Sequence, residues 1–134
     1  MATFSSQRQV VQQLVDCWQS GQLNPISELL TQNFVRHGDY IGEQKEFSGV
    51  AEYKRIVAEF RKLLTDFHTE IGDVIEQGDK IAFRFQTSGK HNGKPITFEG
   101  VNIVRFEGDR IAEDWIYYDA TGLAAKLGQK RAAA

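Results

Sequence analysis

Residues 103–128 read IVRFEGDRIAEDWIYYDATGLAAKLG. A β-branched and aromatic run, a Gly108-Asp109 step and a second such run over residues 110–118 predict two strands joined by a two-residue turn. A short helix follows from Ala120, and Asp119 stands where strand hands over to helix. A carboxylate held at a strand end behind aromatic residues suits proton transfer, because burial raises its pKa toward the working pH. Asp is equally a common N-cap. The residues alone leave both readings open.

Working outward, Gly78-Asp79 and Asn92-Gly93 mark two further tight turns, so residues 67–118 form a run of antiparallel hairpins. Two-residue loops throughout place Phe83 opposite Val74 and Asn102, and Phe85 opposite Gly100. They also place Asn102 opposite Trp115, and Gly100 opposite Tyr117. One side then gathers Phe83, Phe85, Phe98, Asn102 and Val104 with Glu113, Trp115, Tyr117 and Asp119, and Gly100 leaves room where a side chain would stand. The other side carries Val101, Ile103, Arg105, Asp114, Ile116 and Tyr118, which makes Arg105 a neighbour of Asp114. A one-residue slip or bulge exchanges these sets locally. The first side has the make-up of a small-molecule cavity, apolar with a few polar groups, or of a solid core with a polar rim. The second mixes apolar and charged residues and suits a subunit interface, so a homodimer through this outer sheet face is expected.

The N-terminal half supplies helices to cover the sheet. Val10, Val11, Leu14, Cys17 and Trp18 share a helical stripe that starts at the capping-box spacing Ser6-x-x-Gln9 and ends at Gly21. Asn24-Pro25 opens a short helix through Leu30. Residues 34–40 form a short extended segment and residues 42–47 a polar loop. Ser48 caps a third helix whose apolar positions include Tyr53, Ile56, Val57 and Phe60.

The 134 residues, 41% hydrophobic and 25% charged, suit one globular domain, 1–134, without disulfide support. A net charge of −2 with scattered Lys and Arg argues against nucleic acid or an anionic membrane surface as partner. No signal peptide or membrane span is legible. The single Cys17 and the absence of zinc-type spacing make a reducing, cytoplasmic setting the default expectation.

With these elements in place, the chain resembles the SnoaL-like polyketide cyclases of the nuclear transport factor 2-like superfamily, which also holds ketosteroid isomerase. The residues that carry the likeness are Phe34-Val35-Arg36-His37-Gly38 and Phe47-Ser48-Gly49, the block from Val104 through Trp115, then Asp119 and Gly122-Leu123-Ala124-Ala125-Lys126-Leu127-Gly128. The resemblance implies an α+β fold, a cone-shaped barrel in which a strongly curved antiparallel sheet packs on three N-terminal helices and a short C-terminal helix. It also implies an aspartate at the position of Asp119 as general acid/base, closing a ring by intramolecular aldol condensation without metal or organic cofactor. The closing segment departs from the common family pattern, with Ala124 in place of a leucine.

That chemistry needs a base, an oxyanion donor and a folded substrate. His37, Asn102, Trp115 and Tyr117 are the candidate donors, with His37 as possible catalytic partner of Asp119. Trp18, Tyr53, Phe60, Phe83 and Phe85 are candidate walls for a hydrophobic carbonyl compound. Glu113 lies ~13 Å from Asp119 along an extended strand, too far for a carboxylate dyad. Three functions remain open: a cofactor-independent cyclase or isomerase, a non-catalytic carrier of an apolar molecule, and a dimeric interaction module.

Overall fold

A computed structural model describes residues 6–38 and 46–128 of the chain. In order, these form α1 (Ser6–Ser20), α2 (Ile26–Leu29), β1 (Leu30–His37), β2 (Glu46–Ser48), α3 (Val50–Leu63) and β3 (Thr65–Gln77). β4 (Lys80–His91), β5 (Lys94–Glu107), β6 (Arg110–Tyr118) and α4 (Ala120–Lys126) follow. The six strands make one sheet in the order β2-β1-β6-β5-β4-β3, and the sheet does not close on itself. The fold is α+β, with helices packed against a bent sheet. None of its described helices is long and apolar enough to cross a membrane.

The core is built from the faces that the periodicities mark out. Val11 and Leu14 of α1 and Tyr53 and Val57 of α3 pack with Phe34, Phe83 and Val104 of the sheet. A second cluster joins Ile56 and Phe60 to Ile96 and to Leu123, Ala124 and Leu127 of the α4 end. Ala124 lies within this cluster and not on the cavity described below.

All three tight turns hold two residues, with Gln77 paired to Lys80, His91 to Lys94 and Glu107 to Arg110. The register across β4 and β5 is also as expected, Phe83 facing Asn102 and Phe85 facing Gly100. Between β5 and β6 it is not. Phe106 pairs with Ile111, but Arg105 pairs with Glu113, so Ala112 is an extra residue in β6. This bulge moves every later partner by one: Asn102 faces Ile116 and Gly100 faces Tyr118. Ile111 and Ala112, adjacent in sequence, are therefore both buried. The inner face beyond them carries Asp114, Ile116 and Tyr118, not Glu113, Trp115 and Tyr117. A bulge inserts one residue and bends its strand, which helps the sheet curve around the helices.

Smaller differences have equally local causes. Ser6 is the first residue of α1 and donates its hydroxyl to Asp109 Oδ1 at 3.3 Å, and Gln7 Nε2 donates to the Gly108 carbonyl, docking α1 on the β5–β6 turn. Ser48 belongs to β2, which extends into the stretch read as a polar loop; residues 42–45 of that stretch lie outside the described residues. The N-cap of α3 is Gly49, at φ 92°, with no side-chain bond to the helix. The extended segment begins earlier than residue 34, at Leu30, and ends as a strand at His37, while residues 39–40 lie outside the described residues; β1 runs parallel to β6, so the sheet is mixed rather than wholly antiparallel. Gly100 leaves no vacancy: a Cβ there would run into the Tyr117 carbonyl oxygen and stand 2.8 Å from the Phe85 ring. Close backbone approach requires the glycine.

Candidate active site

The parallel pairing of β1 with β6 sets Arg36 directly beside Asp114, and β5 brings Asn102 to the same inner face. Asp114 Oδ2 accepts from Arg36 Nη1 at 2.9 Å, and Oδ1 accepts from Asn102 Nδ2 at 2.8 Å. Relative exposures of 2% for Asp114, 7% for Arg36 and 8% for Asn102 put the whole cluster out of water. Burial pushes the Asp114 carboxyl above the ordinary carboxylate range, against the opposing pull of the Arg36 charge and the Asn102 hydrogen bond.

Two aromatic residues complete the cluster. The Arg36 guanidinium lies 5.8 Å from the Trp18 ring centroid and 5.5 Å from that of Tyr53. Trp18 Nε1–H donates to the Tyr53 oxygen at 2.7 Å. The phenol of Tyr53 is thereby left to donate its own proton, and desolvation keeps that proton on by raising the group's pKa.

These residues line a cavity between α1, α3 and the inner sheet face. Phe60, Phe67, Phe83, Phe85 and Phe98 contribute to its largely apolar wall, with Asn102, Asp114 and Arg36 as convergent polar groups. Its volume is ≈ 70 Å³, against roughly 300–1,000 Å³ for sites that enclose drug-sized ligands. A multi-ring guest would require these side chains to move outward. Among the described residues, no group of three or more His, Cys, Asp or Glu stands where it could hold a metal ion.

Of the residues expected at a site, Trp18, Tyr53, Phe60, Phe83, Phe85 and Asn102 come together here. His37, Trp115 and Tyr117 lie on the opposite side of the sheet. His37 Nε2 sits 2.6 Å from Glu113 Oε2, and its ring stacks on Trp115 at 5.5 Å. The hydrogen bond from His37 is the main reason the Glu113 carboxyl is held below its ordinary range, with Arg105 assisting. Arg105 Nε donates to Glu113 at 3.2 Å, so its partner is Glu113 and not Asp114. Tyr117 is 58% exposed. Asp119 is exposed and does not line the cavity; its Oδ1 accepts from the Gly122 backbone N–H at 2.9 Å and so caps α4.

The cluster residues that sequence reasoning passed over are Arg36 and Asp114. A signal for Asp114 exists, because the adjacent acids Glu113 and Asp114 on one strand must point to opposite faces. Which of them points inward depends on the bulge, and nothing in the local residue pattern announces it.

The family model for SnoaL-like polyketide cyclases matches residues 8–127. Among solved structures, a proposed polyketide cyclase from Bacillus cereus is 29% identical with a TM-score of 0.82, the match covering 94% of this chain and 83% of that one. IdmH from Streptomyces antibioticus, also a proposed polyketide cyclase, is 21% identical with a TM-score of 0.77, covering 92% and 99%. A Catenulispora acidiphila protein with a ketosteroid isomerase-like fold is 19% identical with a TM-score of 0.77, covering 90% and 93%. The last two likenesses speak to fold alone. No match to the chain is found among curated proteins.

Proposed function

The chain belongs to the SnoaL-like polyketide cyclase family, and from that premise we propose that it is a cofactor-independent cyclase or isomerase that uses Asp114 as general acid/base on a hydrophobic carbonyl compound. The observation that carries this reading is a desolvated aspartate, raised in pKa and held through both oxygens, on the wall of an aromatic cavity. Catalytic carboxylates are tuned upward by such burial. The resemblance puts the same role on Asp119; capping and exposure support a structural role there instead.

In the proposed reaction the Asp114 carboxylate takes a proton from the carbon alpha to a carbonyl. The C–H electron pair becomes the enolate double bond, and negative charge gathers on oxygen, where the Tyr53 hydroxyl and the Arg36 guanidinium can donate hydrogen bonds. In a cyclisation the enolate carbon then bonds to a second carbonyl carbon of the same substrate. The alkoxide so formed takes the proton back from Asp114. In an isomerisation the proton returns to another carbon.

Solvent-deuterium exchange at the alpha position of aryl ketones, followed by proton NMR, tests this. Asp114→Asn should lower the catalysed rate by at least about 10²-fold, while Asp119→Asn should retain it. A folded Asp114→Asn protein with undiminished exchange would sink the assignment. Tight ligand binding with no exchange in the unmodified protein would favour a carrier instead.

The expected partner is a second copy of the chain. Val101 and Tyr117 are cross-strand neighbours on the outer face, 37% and 58% exposed. An exposed apolar pair among charges supports a homodimer that covers this face.

A further inference from the structure

The Arg36 side chain has more hydrogen-bond capacity than the protein uses. A guanidinium offers five N–H donors. Nη1 donates to Asp114, and among the described residues Nε and Nη2 have no acceptor. The group lies on the cavity wall, its central carbon 5.8 Å from the Trp18 ring centroid and 5.5 Å from that of Tyr53. A planar cation with unused parallel donors, tied to Asp114 beside an apolar space, is built to receive a planar anion with two oxygens.

We propose that the cavity selects an aromatic ligand bearing a planar oxyanion, either a carboxylate or the enolate of a 1,3-dicarbonyl, and that Arg36 receives that group. This rests on the proposed function in taking the same cavity as the substrate site. It adds the substrate class, which that reading leaves as any hydrophobic carbonyl compound.

Charge bookkeeping gives the idea a second consequence. Among the described residues, Asp114 is the acid paired with Arg36. A ligand anion on the free edge of the guanidinium places a second negative charge beside that buried carboxylate. The like charge disfavours the ionised aspartate, so anion binding draws a proton onto Asp114. A neutral ligand of the same shape draws none.

The test measures dissociation constants of benzoate, benzamide and 1-phenylbutane-1,3-dione by protein NMR titration near neutral pH, with proton uptake read by calorimetry in two buffers. Benzoate should bind at least about tenfold more tightly than benzamide, as hydrogen bonds to charged groups do, and with uptake of a proton, whereas the dione, neutral in solution, binds as its enolate by passing its own proton to Asp114, with no net uptake. Preference for benzoate alone identifies the carboxylate. Tight binding of the dione with the absorbance of its enolate identifies the dicarbonyl. Asp114→Asn should bind the anion more tightly than the unmodified protein and lose the proton uptake, because Arg36 then has no charged competitor. The double variant Arg36→Met/Asp114→Leu, which leaves no unpaired buried charge, should lose the preference for the anion. Equal binding of benzoate, benzamide and dione overturns the inference, as does a preference for the anion that survives in the double variant. Exchange activity that persists in Asp114→Asn overturns the proposed catalytic role without touching this one.

Discussion

Arg36 and Asp114, 78 positions apart in sequence, are paired residues on parallel strands, joined by a 2.9 Å ion pair with both side chains buried. The pair ties the strand that enters the sheet from the helices to the last strand of the hairpin run. A buried pair stabilises only weakly against an apolar replacement, whereas a buried charge left alone is costly. Arg36→Met should therefore lower unfolding free energy by about 3–5 kcal/mol. Arg36→Met/Asp114→Leu should lose much less than the sum of the single changes. Urea denaturation of the four proteins closes the cycle, and additive losses would show that the two charges do not depend on each other.

The raised pKa of Asp114 has a sign that can be checked. The folded protein holds this proton more tightly than the unfolded chain does. The stabilising contribution is thus complete below the ordinary carboxylate range and is lost as pH rises through the raised folded value. Glu113 has the opposite sign, since its carboxyl is lowered: its contribution is present above the ordinary range and lost as pH falls through the lowered value. In thermal melts across the acid range, Asp114→Asn should remove a component of stability that declines with rising pH. If Asp114 is the base, the acid limb of the exchange rate should also lie above the ordinary carboxylate range, near 3.9 for a model peptide, and vanish in the variant.

Asp119→Ala removes the side-chain oxygen that accepts from Gly122 N–H. The loss should be ~1 kcal/mol, typical of an N-cap, and confined to α4. Amide hydrogen exchange would show faster opening of that helix and of little else. A much larger loss, or an unaffected α4, would contradict capping as the residue's role.

Gly100 is required by contact, not by an unusual backbone angle. In Gly100→Ala the new Cβ meets the Tyr117 carbonyl and the Phe85 ring, and a backbone atom cannot swing aside as a flexible side chain can. A destabilisation of roughly 1–3 kcal/mol is expected for such overpacking, measured by chemical denaturation. A neutral result would mean that β5 and β6 can part at this point.

Tyr117→Lys places a charge beside Val101 on the outer face and has no cavity contact to disturb. Sedimentation equilibrium should show weaker self-association than for the unmodified protein, with Asp114-dependent exchange intact. Unchanged association would place the contact elsewhere.

Much of the fold was legible because local rules set it. The Gly-Asp and Asn-Gly turns are where two-residue loops close, and the stripes of α1 and α3 are buried as their periodicity indicates. Six aromatic and polar residues expected at a cavity, among them Tyr53, Phe83 and Asn102, do line one. Missing from that reading were the face of β6 and the partners of its acids. Strand alternation has a period of two, so one inserted residue, Ala112, reverses every side chain after it. That insertion shows only in the pairing of β5 with β6, a tertiary condition that no short window of sequence contains. The same condition decides that Asp114 and Arg36 meet inside while His37 and Glu113 meet outside. By itself the sequence determined the elements, the turns and the apolar stock of the cavity. Only the assembled sheet decided which carboxylate that cavity encloses, because the register that chooses it is set by packing between distant strands.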